Sequence, residues 1–128
     1  MNDELKDIVY SDLFRYTGNN RRFKRIYTTY LQERATSPEF SYISVFRRTQ
    51  YYYRQIPKYD GFLKYFTIAK FRVNSFRLDR LSRKYGFQIP YDTQIGKGFY
   101  LAHFGRVIIH PKAVLGHNVN VSTGAVIG

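Results

Sequence analysis

Three histidines are the residues of this 128-residue chain whose type and spacing point most directly to chemistry. His103, His110 and His117 follow one another at intervals of seven residues. Imidazole titrates close to neutral pH, so a histidine can accept the proton of a hydroxyl group, and it is also a common zinc ligand. The chain has no cysteine, which excludes thiol catalysis and disulfide bonds and fits a reducing compartment. The candidate chemistry is therefore proton transfer or metal binding by imidazole.

The histidines lie in a segment that repeats every six residues. An aliphatic residue occupies the third position of each hexad, at Ile95, Leu101, Ile109, Leu115, Val121 and Ile127. A fixed short period is the pattern of a repeat fold. Each hexad would form a short strand and a turn, and three hexads would form one triangular coil of a parallel β-helix. The third-position aliphatics are then expected to point inward.

The period is interrupted once, between Leu101 and Ile109, which are eight residues apart instead of six. The two additional residues fall within 103–106. An insertion of two residues pushes the backbone outward, and such interruptions often line binding faces. His103 is therefore the candidate catalytic residue, although a plain loop or a buried, hydrogen-bonded histidine would also fit the pattern.

The other two histidines have a different expected setting. In a solenoid of period six, a step of seven rotates each residue to a new location, so the three imidazoles do not converge. We expect His110 and His117 at solvated turns and no metal site.

Helical spacing of apolar residues precedes the repeat. The predicted helices cover 3–17, about 20–34, 39–55 and 61–85. Glycines at 18 and 86 are expected to end the first and the last of them. In the longest helix, the row that steps by four and three residues predicts the packed face, and it consists of Phe62, Phe66, Ala69, Val73 and Phe76.

Charge and aromatic residues are concentrated in this helical part. The formal net charge is +12, and 18 of the 21 Lys and Arg residues and 19 of the 24 Phe and Tyr residues precede residue 87. The preferred interpretation is a helical cap with aromatics inside and solvated cations. An anionic membrane surface is the alternative partner. No nucleic-acid-binding motif is recognisable, so nucleic acid is not expected as a partner.

Two absences bear on location. No basic start followed by an apolar run indicates a secretory signal, and no stretch approaches 18 uninterrupted apolar residues. We expect a cytoplasmic protein, or one held peripherally at the inner face of the membrane.

The text IPYDTQIGKGFYLAHFGRVIIHPKAVLGHNVNVSTGAVIG resembles the opening coils of the serine acetyltransferase family. The opening SDLFRYTGNN and the phrase IPYDTQIGKGFYLAHFG resemble its branch among bacterial capsule and exopolysaccharide genes. The resemblance implies an α+β protein, with a basic, aromatic-rich helical region at 1–88 and a left-handed parallel β-helix of about two coils at 89–128. It further implies a homotrimer, or a pair of trimers, with active sites between subunits. Acetyl-CoA would be the co-substrate, and its acetyl group would move to a hydroxyl.

The resemblance also implies roles for single residues. The family's catalytic histidine matches His103. Ala102 stands where the serine enzymes have Asp, and Gln88 aligns near the Asp that orients their histidine. Asp92 is the nearest acid in sequence, and Gly105 would allow a close backbone approach to an oxyanion. These substitutions favour a sugar of a surface polysaccharide over free serine as the acceptor.

The sequence stops at Gly128, within a hexad. In the family, later coils carry a second active-site histidine and most of the CoA contacts, so we expect a C-terminally truncated chain. Arg106 and Lys112 are candidates to meet CoA phosphates, or are ordinary surface charges. The alternative function is a catalytically incomplete remnant that acts as an oligomerisation or membrane-surface module.

Overall fold

The computed structural model of the chain describes residues 1–18 and 26–128. Helices come first and short parallel strands follow. The helices are α1 (Asp3–Thr17), α2 (Ile26–Thr36), α3 (Pro38–Gln55) and α4 (Gly61–Tyr85), and a short 3₁₀ turn at Ile56–Lys58 follows α3. The predicted bounds of α1 and α4 are confirmed, and α3 begins one residue before its predicted start. The prediction of a helix from residue 20 falls in part on 20–25, which lie outside the described residues.

The helix ends follow from local chemistry. Asn2 caps α1 by accepting a hydrogen bond from the N–H of Glu4 at 2.8 Å. Ser37 caps α3 by accepting one from the N–H of Phe40 at 3.2 Å, and Pro38 occupies the first turn. Gly86 ends α4 in the left-handed conformation, at φ 81°, where its N–H bonds to the carbonyl of Ser82.

Helix α3 is the central helix. Its buried side chains include Phe40, Tyr42, Ile43, Val45 and Phe46. It packs against all three of the other helices, most extensively against α4. The helical part is therefore built around one long buried element, which the weak helical pattern of this stretch did not indicate.

The predicted packed face of α4 is wrong. Phe62 is 83% exposed, Phe76 is 64% exposed, and Phe66, Ala69 and Val73 are exposed as well. The buried residues of α4 are Thr67, Asn74 and Leu78, on the opposite side. Thr67 and Asn74 tolerate burial because each donates a hydrogen bond to the carbonyl four residues earlier on its own helix.

Seven short strands follow α4. They are β1 (Phe87–Gln88), β2 (Gln94–Ile95), β3 (Tyr100–Leu101), β4 (Val107–Ile109), β5 (Val114–Leu115), β6 (Asn120–Val121) and β7 (Val126–Ile127). All pairings are parallel, and they form three separate sheets, β1–β4–β7, β2–β5 and β3–β6. Each of the strands β1 to β4 therefore pairs with the third strand after it.

The register locates the insertion. Phe87 pairs with Val107 and Leu101 with Val121, a separation of twenty residues, whereas Ile109 pairs with Ile127, a separation of eighteen. Eighteen residues are three hexads, so the two additional residues lie between β3 and β4, as the sequence predicts. The first pairing already involves β1, so the repeat begins two residues before the boundary expected at residue 89.

The inward third position is confirmed for most hexads. Ile95, Leu101, Ile109 and Val121 are buried, and Leu115 and Ile127 are partly buried. The same hydrophobic cluster contains Tyr42 and Phe46 of α3, Leu78 of α4 and Phe87 of β1. The helical and the repeat segments consequently share one core.

A buried polar clamp, defined as Asp12, Arg47 and Gln50, attaches the helices to the strands. Arg47 binds the Asp12 carboxylate at 2.7 Å and donates to the carbonyls of Ile95 and Gly96. Asp12 also accepts the N–H of Phe99 at 2.8 Å. Gln50 donates to the carbonyl of Thr93 at 2.7 Å.

Candidate functional site

His103 lies on the bend between β3 and β4 and is exposed to solvent. The insertion therefore displays the imidazole at the surface of the repeat. A buried structural histidine, which the sequence left open, is excluded at this position. An exposed imidazole can meet a substrate hydroxyl, which a core histidine cannot.

The bend that carries His103 is held by its neighbours, although it is exposed. The N–H of Gly105 donates to the carbonyl of Tyr85 at 2.8 Å, and the hydroxyl of Thr123 donates to the carbonyl of His103 at 3.3 Å. The carbonyl of Arg106 accepts the N–H of Gly124 at 2.6 Å. The bend is thus attached to the end of α4 on one side and to the next coil on the other.

Glu39, at the start of α3, gives a further attachment that sequence reasoning missed. One of its carboxylate oxygens accepts the N–H of Phe104 at 2.9 Å, and the other accepts the hydroxyl of Ser37 at 3.2 Å. The Phe104 ring packs against Tyr85, with ring centroids 5.9 Å apart. Glu39 is separated from Phe104 by 65 residues, so no local pattern connects the two. Glu39 thus brings a carboxylate to the backbone of Phe104, the residue that follows His103.

Gly105 is required by the close packing of the bend. Its φ is 141°, and a Cβ at this position would lie 2.6 Å from the Thr123 methyl carbon. A Cβ at Gly86 would lie 3.1 Å from the backbone carbon of Gly105. The end of α4 and the bend therefore touch backbone to backbone, and this contact fixes where the insertion leaves the repeat.

The amides of the bend are already in use. The N–H of Phe104 donates to Glu39 and the N–H of Gly105 donates to Tyr85. The close backbone approach expected at Gly105 therefore stays a prediction that depends on the missing side chain, not on the N–H of this residue. Its own N–H points into the fold.

The other predicted site residues occupy two locations. Ala102 is half-buried next to His103, and its N–H donates to the carbonyl of Val121 at 3.1 Å. Gln88 is exposed on β1, paired with Ile108 of the strand that follows the insertion. Asp92 is exposed in the turn between β1 and β2, at a different corner of the repeat. Ala102 thus directly precedes the bend and Gln88 pairs with the strand that follows it, whereas Asp92 lies in a separate turn.

A cavity of about 430 Å³ lies beside Gln88. Its wall is formed by the last turns of α4, through Ser82 and Arg83, and by β1 and β4, through Gln88 and Ile108. His103 does not line it. The lining of this cavity is mainly apolar.

His110 and His117 are exposed at turns, as predicted. Nδ1 of His110 accepts the N–H of Lys112 at 3.1 Å, and Nδ1 of His117 accepts the N–H of Lys97 at 3.0 Å. The His110 imidazole therefore stabilises its own turn, and the His117 imidazole bonds to the backbone twenty residues earlier, in the preceding coil. Within residues 1–18 and 26–128, no three His, Asp or Glu side chains gather as a metal-binding group.

Comparison with protein-family models, with curated proteins and with solved structures finds no match for this chain. The described residues form an α+β protein in which four helices precede short parallel strands. None of the helices in the described part of the chain has the length and apolar character needed to cross a bilayer.

Proposed function

We propose that this chain is an acetyl-CoA-dependent O-acetyltransferase similar to the serine acetyltransferases, built on a left-handed parallel β-helix. The observation that carries the proposal is the display of His103, exposed and anchored, at the one interruption of the repeat. The parallel pairing of every third strand and the inward third-position aliphatics support the β-helical part. His103 also lies within the phrase IPYDTQIGKGFYLAHFG, on which the resemblance to that family depends.

The proposed chemistry begins with the acceptor hydroxyl hydrogen-bonded to the imidazole of His103. The imidazole takes the hydroxyl proton as the oxygen attacks the carbonyl carbon of the acetyl thioester. The tetrahedral intermediate then collapses, the carbon–sulfur bond breaks, and the proton on the imidazolium passes to the leaving thiolate. The products are an acetyl ester and free CoA thiol, and the histidine returns to its neutral form.

The acceptor follows from the neutral residues near His103. Ala102 stands where a serine-specific site has the acid that helps to recognise the amino acid, so free serine would lose a charged partner there. Gln88 stands near the acid that orients the histidine in those enzymes, and it carries no charge either. A sugar hydroxyl requires no such partner. We therefore place a surface polysaccharide sugar ahead of serine as the acceptor, and a homotrimer as the assembly that completes the site between subunits.

The test is release of CoA thiol from acetyl-CoA with serine, with a panel of sugars, and with no acceptor. The proposal expects release that depends on an acceptor and falls by a factor of about 10² to 10⁴ in His103→Ala. Equal release by the two proteins would remove His103 from the mechanism. No release by either would favour the alternative function, a module that binds without catalysis.

A further inference from the structure

The exposed side of α4 is the part of the molecule that the proposed function leaves unexplained. Five side chains form one row along the helix, at steps of four and three residues, and all are exposed. We call this row the α4 outer face, and it consists of Phe62, Phe66, Ala69, Val73 and Phe76. A contiguous apolar stripe of this kind, borne by a helix whose opposite side is packed, indicates a surface that meets another apolar phase.

The same row changes character toward the end of the helix. Its next two positions, again at steps of four, are Arg80 and Lys84, and both are exposed. Helix α4 contains seven Lys and Arg residues and one acid, Asp79. The helix therefore presents an apolar stripe that continues into a strongly cationic end.

Two cations of α4 make cation–π contacts with aromatic rings of the stripe. The ammonium of Lys70 lies 4.6 Å from the centroid of the Phe66 ring, and the guanidinium of Arg80 lies 5.9 Å from that of Phe76. Long basic side chains that lie along aromatic rings can keep their charge in water while their stems cover apolar surface. This arrangement suits a boundary between water and an apolar phase.

A basic cleft lies at the cationic end. It has a volume of about 440 Å³, and four of its lining residues are cations, Arg34 of α2 and Arg77, Arg80 and Lys84 of α4. Among the described residues, no acidic side chain lines it. Four like charges around one concavity favour an anionic occupant, and guanidinium groups match the geometry of phosphate oxygens.

We propose that the α4 outer face and the basic cleft dock this protein on an anionic phospholipid surface, with the stripe at the acyl boundary and the cleft around a headgroup phosphate. Charge complementarity decides between occupants. A second copy would bring two cationic helices together, which opposes association. Nucleic acid would complement the positive charge, but Val73 and Ala69 at the centre of the stripe cannot stack on bases.

The primary experiment is co-sedimentation of the full chain with vesicles of phosphatidylcholine alone and of phosphatidylcholine mixed with phosphatidylglycerol. It is carried out in about 0.05 M and about 0.5 M salt. The expected result is binding to the mixed vesicles that weakens at high salt, and little binding to the neutral ones. Absence of binding at low salt, or equal binding to both vesicle types, would overturn the proposal.

Two sets of substitutions separate the stripe from the cleft. The variant with Phe62→Ser, Phe66→Ser and Val73→Ser is expected to lose at least about tenfold in vesicle affinity. The variant with Arg77→Gln, Arg80→Gln and Lys84→Gln is expected to lose on the order of a hundredfold. All six side chains are exposed, so each variant should fold, which thermal unfolding verifies.

Matched controls lie in the repeat segment, outside α4. Val126→Ser removes an apolar side chain that is 69% exposed, and the pair Arg106→Gln and Lys112→Gln removes exposed cations. Affinity should be unchanged in both. Equal losses in these controls would contradict docking through α4. His103→Ala should bind vesicles like the unsubstituted chain, so failure of the acetyltransferase proposal would leave this one standing.

A single tryptophan gives the depth of insertion, because the chain has none of its own. In Phe66→Trp, the emission should shift to shorter wavelength on addition of mixed vesicles, and in Val126→Trp it should not. Sedimentation equilibrium and a single-stranded oligonucleotide cover the other occupants. Self-association or oligonucleotide binding that depends on the α4 outer face, in the absence of vesicle binding, would contradict the lipid assignment.

Discussion

Glu39 is the single residue whose contribution most changes the picture of the site. Its carboxylate accepts the N–H of Phe104, the residue next to His103. Hydrogen bonds from an amide to a charged oxygen are stronger than neutral ones, so the bend depends on this contact for its position. Glu39 is therefore a positioning residue for the proposed base.

Removal of this contact should affect catalysis more than folding. In Glu39→Ala the Phe104 amide loses its acceptor, and kcat for acetyl transfer is expected to fall about tenfold because the imidazole is displaced. Glu39→Gln keeps an acceptor oxygen and should restore most of the rate. Steady-state kinetics with Glu33→Ala as control measure the effect. An unaltered kcat in Glu39→Ala would disprove the positioning role.

Tyr16 links α1 to β3 and provides a pH test. Its hydroxyl donates to the carbonyl of Leu101 and accepts the N–H of the same residue, each at 2.9 Å. Burial raises the pKa of the Tyr16 phenol well above its usual range. A free tyrosine ionises near pH 10, so above that pH the unfolded chain loses a proton that the folded chain keeps. Stability from this group is therefore lost as pH rises past 10.

Tyr16→Phe should reveal this dependence. At pH 8 the variant is expected to be destabilised by about 1–3 kcal/mol, because the N–H and the carbonyl of Leu101 both lose the hydroxyl to which they are hydrogen-bonded. At pH 11 the difference from the unsubstituted chain should shrink by about 1.4 kcal/mol, since only the latter carries the ionisation cost. Urea unfolding at the two pH values gives both numbers. A difference that grows with pH would contradict the assignment.

Among the elements, α1 and the strands could be predicted from sequence and the inner side of α4 could not. The cap of Asn2 and the stop at Gly18 are local signals, and they bound α1 correctly. The hexads fix which residues point inward, because their period is also the period of the coil. In α4 the apolar row is real, but spacing alone does not tell whether a row meets protein or another phase. Its packed side carries Thr67 and Asn74, which no apolar pattern would select.

Some residues of the candidate site could likewise be predicted from sequence, and others could not. His103 could be found because the insertion is visible as a break in a period. Glu39 and Tyr85 could not, because they reach the bend from helices that are distant in sequence. The hydrogen bond from the Gly105 N–H to the carbonyl of Tyr85 also could not be predicted, because it depends on how the end of α4 packs against the bend.

At the scale of the whole molecule, the polar clamp joins two segments of different composition. Asp12 and Arg47 are both buried, and burial raises the pKa of the Asp12 carboxyl while Arg47 lowers it. Four backbone groups of the strand region depend on the clamp, at residues 93, 95, 96 and 99. Loss of Arg47 leaves the Asp12 carboxylate buried without a counter-charge, with the Phe99 N–H as a remaining hydrogen-bond donor.

Arg47→Met should therefore destabilise the fold by about 3–5 kcal/mol, because it leaves the Asp12 charge buried and unpaired. The double variant Asp12→Asn with Arg47→Met should be less destabilised, since Asn still accepts the Phe99 amide without a charge. Arg83→Met, which breaks the exposed pair with Asp79, should change stability by less than about 1 kcal/mol. Denaturant unfolding measures all three, and a double variant worse than Arg47→Met would refute the charge argument.

The most direct test of the central claim compares two histidines of the same repeat. His103 lies on the bend and His110 at an ordinary turn, and both are exposed. The measurement is kcat/KM for acetyl transfer to a hydroxyl acceptor in His103→Ala and in His110→Ala. We expect a loss of about 10² to 10⁴ in the first and a value close to that of the unsubstituted chain in the second. Equal values in the two variants would contradict the assignment of His103 as the base.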